Sequence, residues 1–361
     1  MMTNQRNVLL IAYDEHLVLS FLYCVRKQKG FNYYLLTHKP KSSAGHSRYL
    51  KGLRYYKEYS DLETVIPQCL KEWSIDLLMP IGEKESLEVS RNRSTFEKLC
   101  KVMPLTDPEH FEIATNKKAL NRFLLDRDLH LMSATLELDD PQFKSKLDDF
   151  PFPGLVKPAQ GAFGSGITTV KDRKELESFL EKENPEPSHY YLLEYISGSD
   201  INCIVVCEDG DVKHWSVQES PAKEIGNYNK NDDLIFRPAP EVLEVVKPML
   251  KALNYQGVAC IDLRRDTAKN KVFLLEINAR FWGSMMASLL RANVNFPLIM
   301  LKLTAGESAP EYKKTEGKQI STNTYIRETL RFKFPRISQL KFWPYLNDPM
   351  ARIMKYWYQR F

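Results

Sequence analysis

In 257-GVACIDLRRDTAKNKVFLLEINAR-280, two apolar runs flank a turn-like segment from Asp266 to Asn270, the pattern of a β-hairpin. Side chains alternate faces along a strand, so Val272, Leu274, Glu276, Asn278 and Arg280 are expected on one side and Phe273, Leu275 and Ile277 on the other. An acid, an amide and a guanidinium then line one face of a strand whose other face is apolar. Asp262, between Ile261 and Leu263, is a second acid inside an apolar run, 14 residues before Glu276. If the strands pair, the two carboxylates repel unless a hard cation sits between them, and Mg²⁺ prefers such an oxygen set, completed by water and substrate phosphates. The plain alternative is an amphipathic sheet with a solvated polar face.

Upstream, 152-FPGLVKPAQGAFGSGITTV reads as strand, glycine-rich loop and strand. Gly161, Gly164 and Gly166 fall within six residues in a chain with only 15 glycines. Backbone N–H groups in such a loop can close over phosphate oxygens, although a mobile hairpin accounts for the same pattern. It is not a Walker A loop, because no Gly-Lys-Ser/Thr follows. Lys157, inside the apolar run 154-GLVKPA, adds a point charge suited to phosphate. Thr115 reads as an N-cap before a helix carrying Lys117, Lys118 and an apolar face of Ala119, Leu120, Phe123 and Leu124. A strand 190-YYLLEYI, a turn at Ser197-Gly198-Ser199, and a hairpin of 200-DINCIVVCEDG with 211-DVKHWSVQES follow, then a helix from Pro240. No internal repeat is visible.

The N-terminal third alternates instead between short apolar runs (7-NVLLIAY, 32-NYYLLTH, 75-IDLLMPIG) and one-faced helices, which predicts a parallel, Rossmann-like α/β lobe. Its first βα turn, 11-IAYDEHL, has no glycine, so a dinucleotide site is not expected there. Strand C-termini still favour ligands, which flags Glu83 in 80-PIGEKE, against the plainer reading of a helix N-terminus enriched in acids. Boundaries near 108 and 305 give three parts: 1–108, 109–305, and an extension over 306–361.

Composition excludes wholesale disorder: 361 residues, 43% hydrophobic and 27% charged, suffice for two or three packed lobes. The longest apolar window, 285-MMASLLRANVNFPLIMLKL, is broken by Arg291 and Lys302, so no membrane span is expected. The short apolar run near the start ends at Asp14-Glu15, which predicts a cytoplasmic chain. Six scattered cysteines without a C-x-x-C pair predict neither structural zinc nor a disulfide framework. The net charge of +5 is concentrated at the end: residues 325–361 carry eight Lys/Arg and two acids, leaving about −1 upstream. Ten aromatics interleave with those cations. Packing onto the body is the plain reading of this tail; peripheral contact with the anionic inner membrane surface or an acidic acceptor also fits, and nucleic acid fits less well.

Taken in order, these motifs resemble the ATP-grasp superfamily, in its carbamoyl-phosphate-synthase-like and biotin-carboxylase-like branch. The resemblance rests on 276-EINAR, similar to the family's E-x-N-x-R strand, with Asp262 at the spacing of a first metal ligand. It rests also on 157-KPAQGAFGSG, 192-LLEYISGSD and 115-TNKKALNRFLL, and covers about 110–305. It implies a Rossmann-like lobe followed by a two-lobed ATP-grasp fold with a hinge near 194–198. Asp262, Glu276 and Asn278 would hold one or two Mg²⁺ ions, with Mn²⁺ an acceptable substitute. Lys117 and Lys157 would contact the phosphates of ATP, and Gly161, Gly164, Ser165 and Gly166 would close over them. Glu194 and the backbone of Tyr195 and Ile196 would read adenine, Asp200 the ribose, and Arg280 the acceptor carboxylate. Asp at the first metal position departs from the more usual Glu or Gln, and the choice of Lys117 over Lys118 rests on helix phase. The implied activity is an ADP-forming carboxylate–amine ligase acting through an acyl phosphate. The rivals are carboxylation through carboxyphosphate, weakened by the lack of a Met-Lys-Met sequence, and a non-catalytic ATP-binding regulatory module. Lys223 and Trp282 are candidate pocket residues, the amine and carboxylate are unspecified, and a homodimer is the default assembly.

Overall fold

In the computed structural model, which describes residues 5–159, 166–221, 233–341 and 347–360, the chain first builds a five-stranded parallel sheet. Its strands are β1 (Arg6–Ile11), β2 (Phe31–Thr37), β3 (Leu50–Tyr55), β4 (Leu77–Pro80) and β5 (Lys101–Val102), in the order β3-β2-β1-β4-β5. The central strands are buried on both faces, as continuous apolar runs require in a parallel sheet. β3 was not evident from the sequence: it is a half-exposed edge strand whose charged residues interrupt the apolar pattern. At the glycine-free first turn, Asp14 caps the helix Glu15–Val25 by accepting from the His16 N–H.

A small antiparallel sheet follows: β6 (Thr135–Glu137), β7 (Gly154–Pro158), β8 (Thr168–Val170) and β9 (Tyr190–Glu194), ordered β6-β9-β7-β8. Pairing sets Leu155 opposite Leu193 and Lys157 opposite Tyr191. Val156, Val170 and Leu192 pack with Leu147, Phe150 and Leu176, the last from the helix Arg173–Glu183. Leu155, Tyr191 and Leu193 instead cluster with Ile167, Tyr195 and Leu275, so this face of the small sheet looks onto the large one.

The large sheet comprises β10 (Gly198–Glu208), β11 (Asp211–Ser220), β12 (Leu234–Arg237), β13 (Gly257–Asp266), β14 (Lys271–Asn278) and β15 (Gly317–Gln319), ordered β14-β13-β10-β11-β12-β15. The β10–β11 turn places Asp209 and Gly210 at φ 51° and 77°, the left-handed pair that a two-residue hairpin needs. Ile201, Cys203, Val205, Ile261 and Leu263 pack beneath the helices Pro108–Thr115, Lys117–Leu125 and Pro240–Ala252. On the other face, Ile204, Val206, Val258 and Cys260 join the core of the parallel sheet. Toward the β10 N-terminus that same face turns polar, beginning with Asn202. The stretch after 305 is tied to the body by β15, which pairs with β12, and by the helix Pro349–Arg360 beside the N-terminal sheet. No helix among the described residues is long and apolar enough to cross a membrane.

Candidate active site

Pairing aligns one polar residue on each of four neighbouring strands: Gln218 opposite Asn202, Asn202 opposite Asp262, and Asp262 opposite Glu276. Residues paired across an antiparallel sheet share a face, so these four form a continuous rung. Gln218 donates from Nε2 to Asn202 Oδ1 at 2.8 Å, and Asn202 donates from Nδ2 to Asp262 Oδ1 at 2.5 Å. The Ser284 hydroxyl donates to Gln218 Oε1 at 2.9 Å. Asn278 Nδ2 lies 3.3 Å from Asp262 Oδ2, while Arg280 donates to Asn278 Oδ1 at 3.1 Å and to the Phe281 carbonyl at 2.8 Å.

The carboxylates of Asp262 and Glu276 are therefore neighbours, and β14 achieves this differently from the simple alternation expected. Leu263 pairs with Leu274, and a register shift leaves Leu275 as an extra residue, a β-bulge. Leu274 consequently lies with Ile261, Leu263 and Ile277 in the helix-covered core, opposite to Glu276. The expectation that Leu274 and Val272 share a face with Glu276 is corrected: the bulge inverts the alternation. Leu275 turns instead to the small-sheet cluster.

Three cations act on this pair: Lys117, Lys157 and Arg280. Lys117 Nζ sits 2.9 Å from Glu276 Oε2. Lys157 is buried on β7, and burial pulls its ammonium down to about 8, partly opposed by the Glu276 charge. Burial and the adjacent Glu276 charge push Asp262 up to about 7. Burial works against Glu276 too, but the Lys117 and Lys157 charges outweigh it and hold the carboxyl below its ordinary range. Lys118 is directed elsewhere, 2.7 Å from Asp139, 3.2 Å from Glu137 and 2.9 Å from the Ser188 carbonyl. The cap of this helix is Asn116, accepting from the Lys118 and Ala119 N–H groups, rather than Thr115, which ends the preceding helix.

Glu83 also reaches the group. Burial raises its carboxyl, the Arg280 charge lowers it, and Glu276 and Lys117 act on it in turn. A residue of the N-terminal lobe thereby faces the strand of Glu276. At the opposite end Arg264, which sequence reading passed over, donates to the Ile196 carbonyl, to Asp200 Oδ1 at 2.8 Å and to the Tyr195 hydroxyl at 3.2 Å. Glu194 accepts from the Ala134 N–H at 3.2 Å, while its neighbours Leu193 and Tyr195 line the apolar cluster. Gly166 is exposed with φ +74°; Gly161, Gly164, Ser165 and Lys223 lie outside the described residues. Trp282 is buried with Phe296 in the main core. Asn202 and Gln218 were legible only as polar residues interrupting apolar strands, a signal that becomes specific once register is known.

The donor set suits a hard divalent cation: two adjacent carboxylates, Asp262 pushed toward protonation by burial and by Glu276, with the Asn278 amide beside them, its nitrogen turned to Asp262 and its oxygen to Arg280. Among the described residues no three His, Cys, Asp or Glu side chains group together as a metal site, so such a cation would depend on Asn278 or on substrate oxygens for further ligands.

Residues 191–326 match a family model described as ATP-grasp in the biosynthetic pathway with Ter operon. The chain is 28% identical over 171 residues to a D-alanine–D-alanine ligase of Prochlorococcus marinus (strain MIT 9301), covering 41% of this chain and 46% of the relative. It thus spans about half the length of the curated relatives it matches. Two solved structures share the fold. An L-amino acid ligase from Bacillus licheniformis superimposes with TM-score 0.64 at 19% identity, over 82% of this chain and 73% of the other. The biotin carboxylase of Campylobacter jejuni superimposes with TM-score 0.67 at 16% identity, over 85% and 72%.

Proposed function

We propose that this chain is a member of the ATP-grasp superfamily, a reading supported by the family match over residues 191–326 and by the D-alanine–D-alanine ligase relative, and that it is an ATP-dependent ligase that activates a carboxylate as an acyl phosphate and passes it to an amine. The observation that carries this reading is the meeting of Lys117, Lys157, Asp262, Glu276, Asn278 and Arg280 at one cleft between the two antiparallel sheets. Hydroxide is a poor leaving group, so a carboxylate needs phosphorylation before an amine can displace it. The γ-phosphoryl of ATP moves to a carboxylate oxygen, ADP leaves, and the amine nitrogen attacks the acyl carbon with loss of phosphate. Positioning and charge neutralisation are then the protein's main work.

Lys117 and Lys157 supply fixed positive charge for the phosphates. Asp262 and Glu276, with Asn278, would hold Mg²⁺, whose charge would offset that of the ATP phosphates. Leu155, Leu193, Tyr195, Ile167 and Leu275 form an apolar surface suited to a purine ring. Arg280 is braced through Asn278 and the Phe281 carbonyl, so its guanidinium is pre-oriented for the acceptor carboxylate. Arg264 holds the Tyr195–Asp200 segment, and Asp200 would exchange part of that ion pair for the ribose hydroxyls.

Product analysis with Mg²⁺-ATP and pooled amino acids and small carboxylates tests this reading. Pool-dependent ADP and phosphate, lost in Glu276→Ala, are expected; AMP and pyrophosphate would overturn the acyl-phosphate route.

A further inference from the structure

The last part of the chain is not simply packed away. Fourteen large hydrophobic side chains are exposed among the described residues, and eight of them (Ile326, Leu330, Phe332, Phe334, Ile337, Met350, Ile353 and Trp357) fall within 326–357. Leu330, Phe332 and Phe334 are the most exposed, at 77%, 85% and 75%. Isolated exposed apolar residues are ordinary on a soluble surface, but eight of the fourteen within one stretch of 32 residues single that stretch out as a candidate for interaction.

The helix Pro349–Arg360 shows the pattern at helical spacing. Its inner side docks on the N-terminal lobe: Ala351 is fully buried, and Tyr358 bonds His46 Nε2 at 2.8 Å. Met350, Ile353 and Trp357 recur at i, i+3 and i+7 on a separate face, 54–56% exposed. The helix is therefore apolar outward, where a docked surface helix is normally polar.

Charge selects the occupant. Arg327, Arg331, Lys333, Arg336, Lys341, Arg352 and Lys355 accompany these side chains, with two acids in the same span. Both acids are engaged: Glu328 lies 3.9 Å from Arg331 and 3.8 Å from Lys333, and Asp348 accepts from the Ser47 hydroxyl on the N-terminal lobe. A second copy of this face would set like charges against each other. Nucleic acid would reward stacking aromatics, but five of the eight exposed residues are aliphatic or Met. Aliphatic and aromatic side chains interleaved with Lys and Arg match the boundary between acyl chains and anionic headgroups.

We propose that the exposed faces of 326–337 and of the helix Pro349–Arg360 form a peripheral docking surface for an anionic lipid bilayer. This stands apart from the ligase reading, because no residue of the cleft takes part.

Co-sedimentation of the full chain with phosphatidylcholine vesicles, with and without 30% phosphatidylglycerol (~30%, enough to give a negative surface potential), tests it. Binding to anionic vesicles at least about tenfold tighter than to neutral ones, weakened by salt, is expected from surface electrostatics. The double variant Phe332→Ser/Phe334→Ser, at positions already in water, should keep the thermal midpoint and lose about tenfold in vesicle affinity; Ile353→Ser should act in the same direction. No binding to anionic vesicles, or unchanged binding by the double variant, would overturn the proposal. So would self-association in sedimentation equilibrium that the variant abolishes, or tighter binding of a single-stranded oligonucleotide than of anionic vesicles.

Discussion

Lys157 is buried among Leu155, Tyr191 and the two carboxylates, and burial brings its ammonium down to about 8. The unfolded chain holds that proton up to its ordinary value near 10.5, so this group alone makes the fold gain stability as pH rises between about 8 and 10.5. Phosphate binding has the opposite demand, because only the ammonium attracts an anion. The dissociation constant for ADP should be flat below about pH 8 and rise above it by up to about tenfold per unit, while Lys157→Arg, always charged, should flatten the profile. Titration calorimetry between pH 6.5 and 9.5 (a window of roughly three units around the lysine) reads this directly, and a flat wild-type profile would remove Lys157 from the phosphate site. Asn202 acts one position away from the chemistry. Asn202→Ala deprives Asp262 of a donor and Gln218 of an acceptor, which should cost about 1–3 kcal/mol in urea unfolding and raise the Mg²⁺ concentration needed for activity. Equal stability with unchanged metal dependence would mean that the rung is decorative.

At the scale of the element, the β14 bulge couples the core to the site. Deleting Leu275 would restore regular pairing with Leu274 still opposite Leu263 and Glu276 still opposite Asp262, so both keep their faces and what is lost is the Leu275 contact with Leu155, Tyr191 and Leu193. The deletion should therefore destabilise by about 2–4 kcal/mol in urea unfolding, the loss of one large apolar side chain, and keep the Mg²⁺ dependence of ATP turnover; loss of that dependence would show that the bulge itself sets the carboxylate pair. The helix Lys117–Leu125 offers the paired comparison: Lys117→Met should weaken nucleotide binding, whereas Lys118→Met should lower the thermal midpoint through Glu137 and Asp139 with nucleotide affinity retained. The reverse pattern would exchange their roles. Much of this scale was readable beforehand. The Asp209-Gly210 turn, the apolar runs of β10 and β13, and Asp262 and Glu276 as polar interruptions all follow from short-range pattern. The bulge did not, since it arises from how β14 fits β13 and the small sheet at once, and Asn202 and Gln218 acquire meaning only from cross-strand pairing. Nothing in the local sequence singles out Arg264, because its partners, Ile196 and Asp200, lie more than sixty residues away. Glu83 could be flagged by its place after β4, but its proximity to Arg280 depends on how the lobes meet.

Over the whole molecule, burial is divided unequally. The parallel sheet and one face of the large sheet share a single core: Val8, Leu10, Ile204, Val206, Phe236, Val258 and Phe296 belong to it together. The small sheet has its own, made of Leu147, Phe150, Val156, Val170, Leu176 and Leu192, and meets β14 through the separate cluster around Leu155 and Leu275. Shared burial forces the first two bodies to unfold together, because exposing either strips apolar cover from the other. A small core with a thin contact can open at lower free energy. Urea unfolding should therefore show coincident loss of fluorescence from Trp73, in the N-terminal lobe, and Trp282, read in single-tryptophan variants. Amide exchange should be faster in the strands Gly154–Pro158, Thr168–Val170 and Tyr190–Glu194 than over 201–206 and 258–263, and nucleotide should slow it mainly in the former, since the small sheet gains a second contact when the cleft is filled. Separate transitions for Trp73 and Trp282 would mean that the shared core does not couple the lobes. Equal protection of the two antiparallel sheets, unchanged by nucleotide, would mean that the small sheet is not the part that opens, and Lys157 would then have to meet its phosphate in a cleft of fixed width.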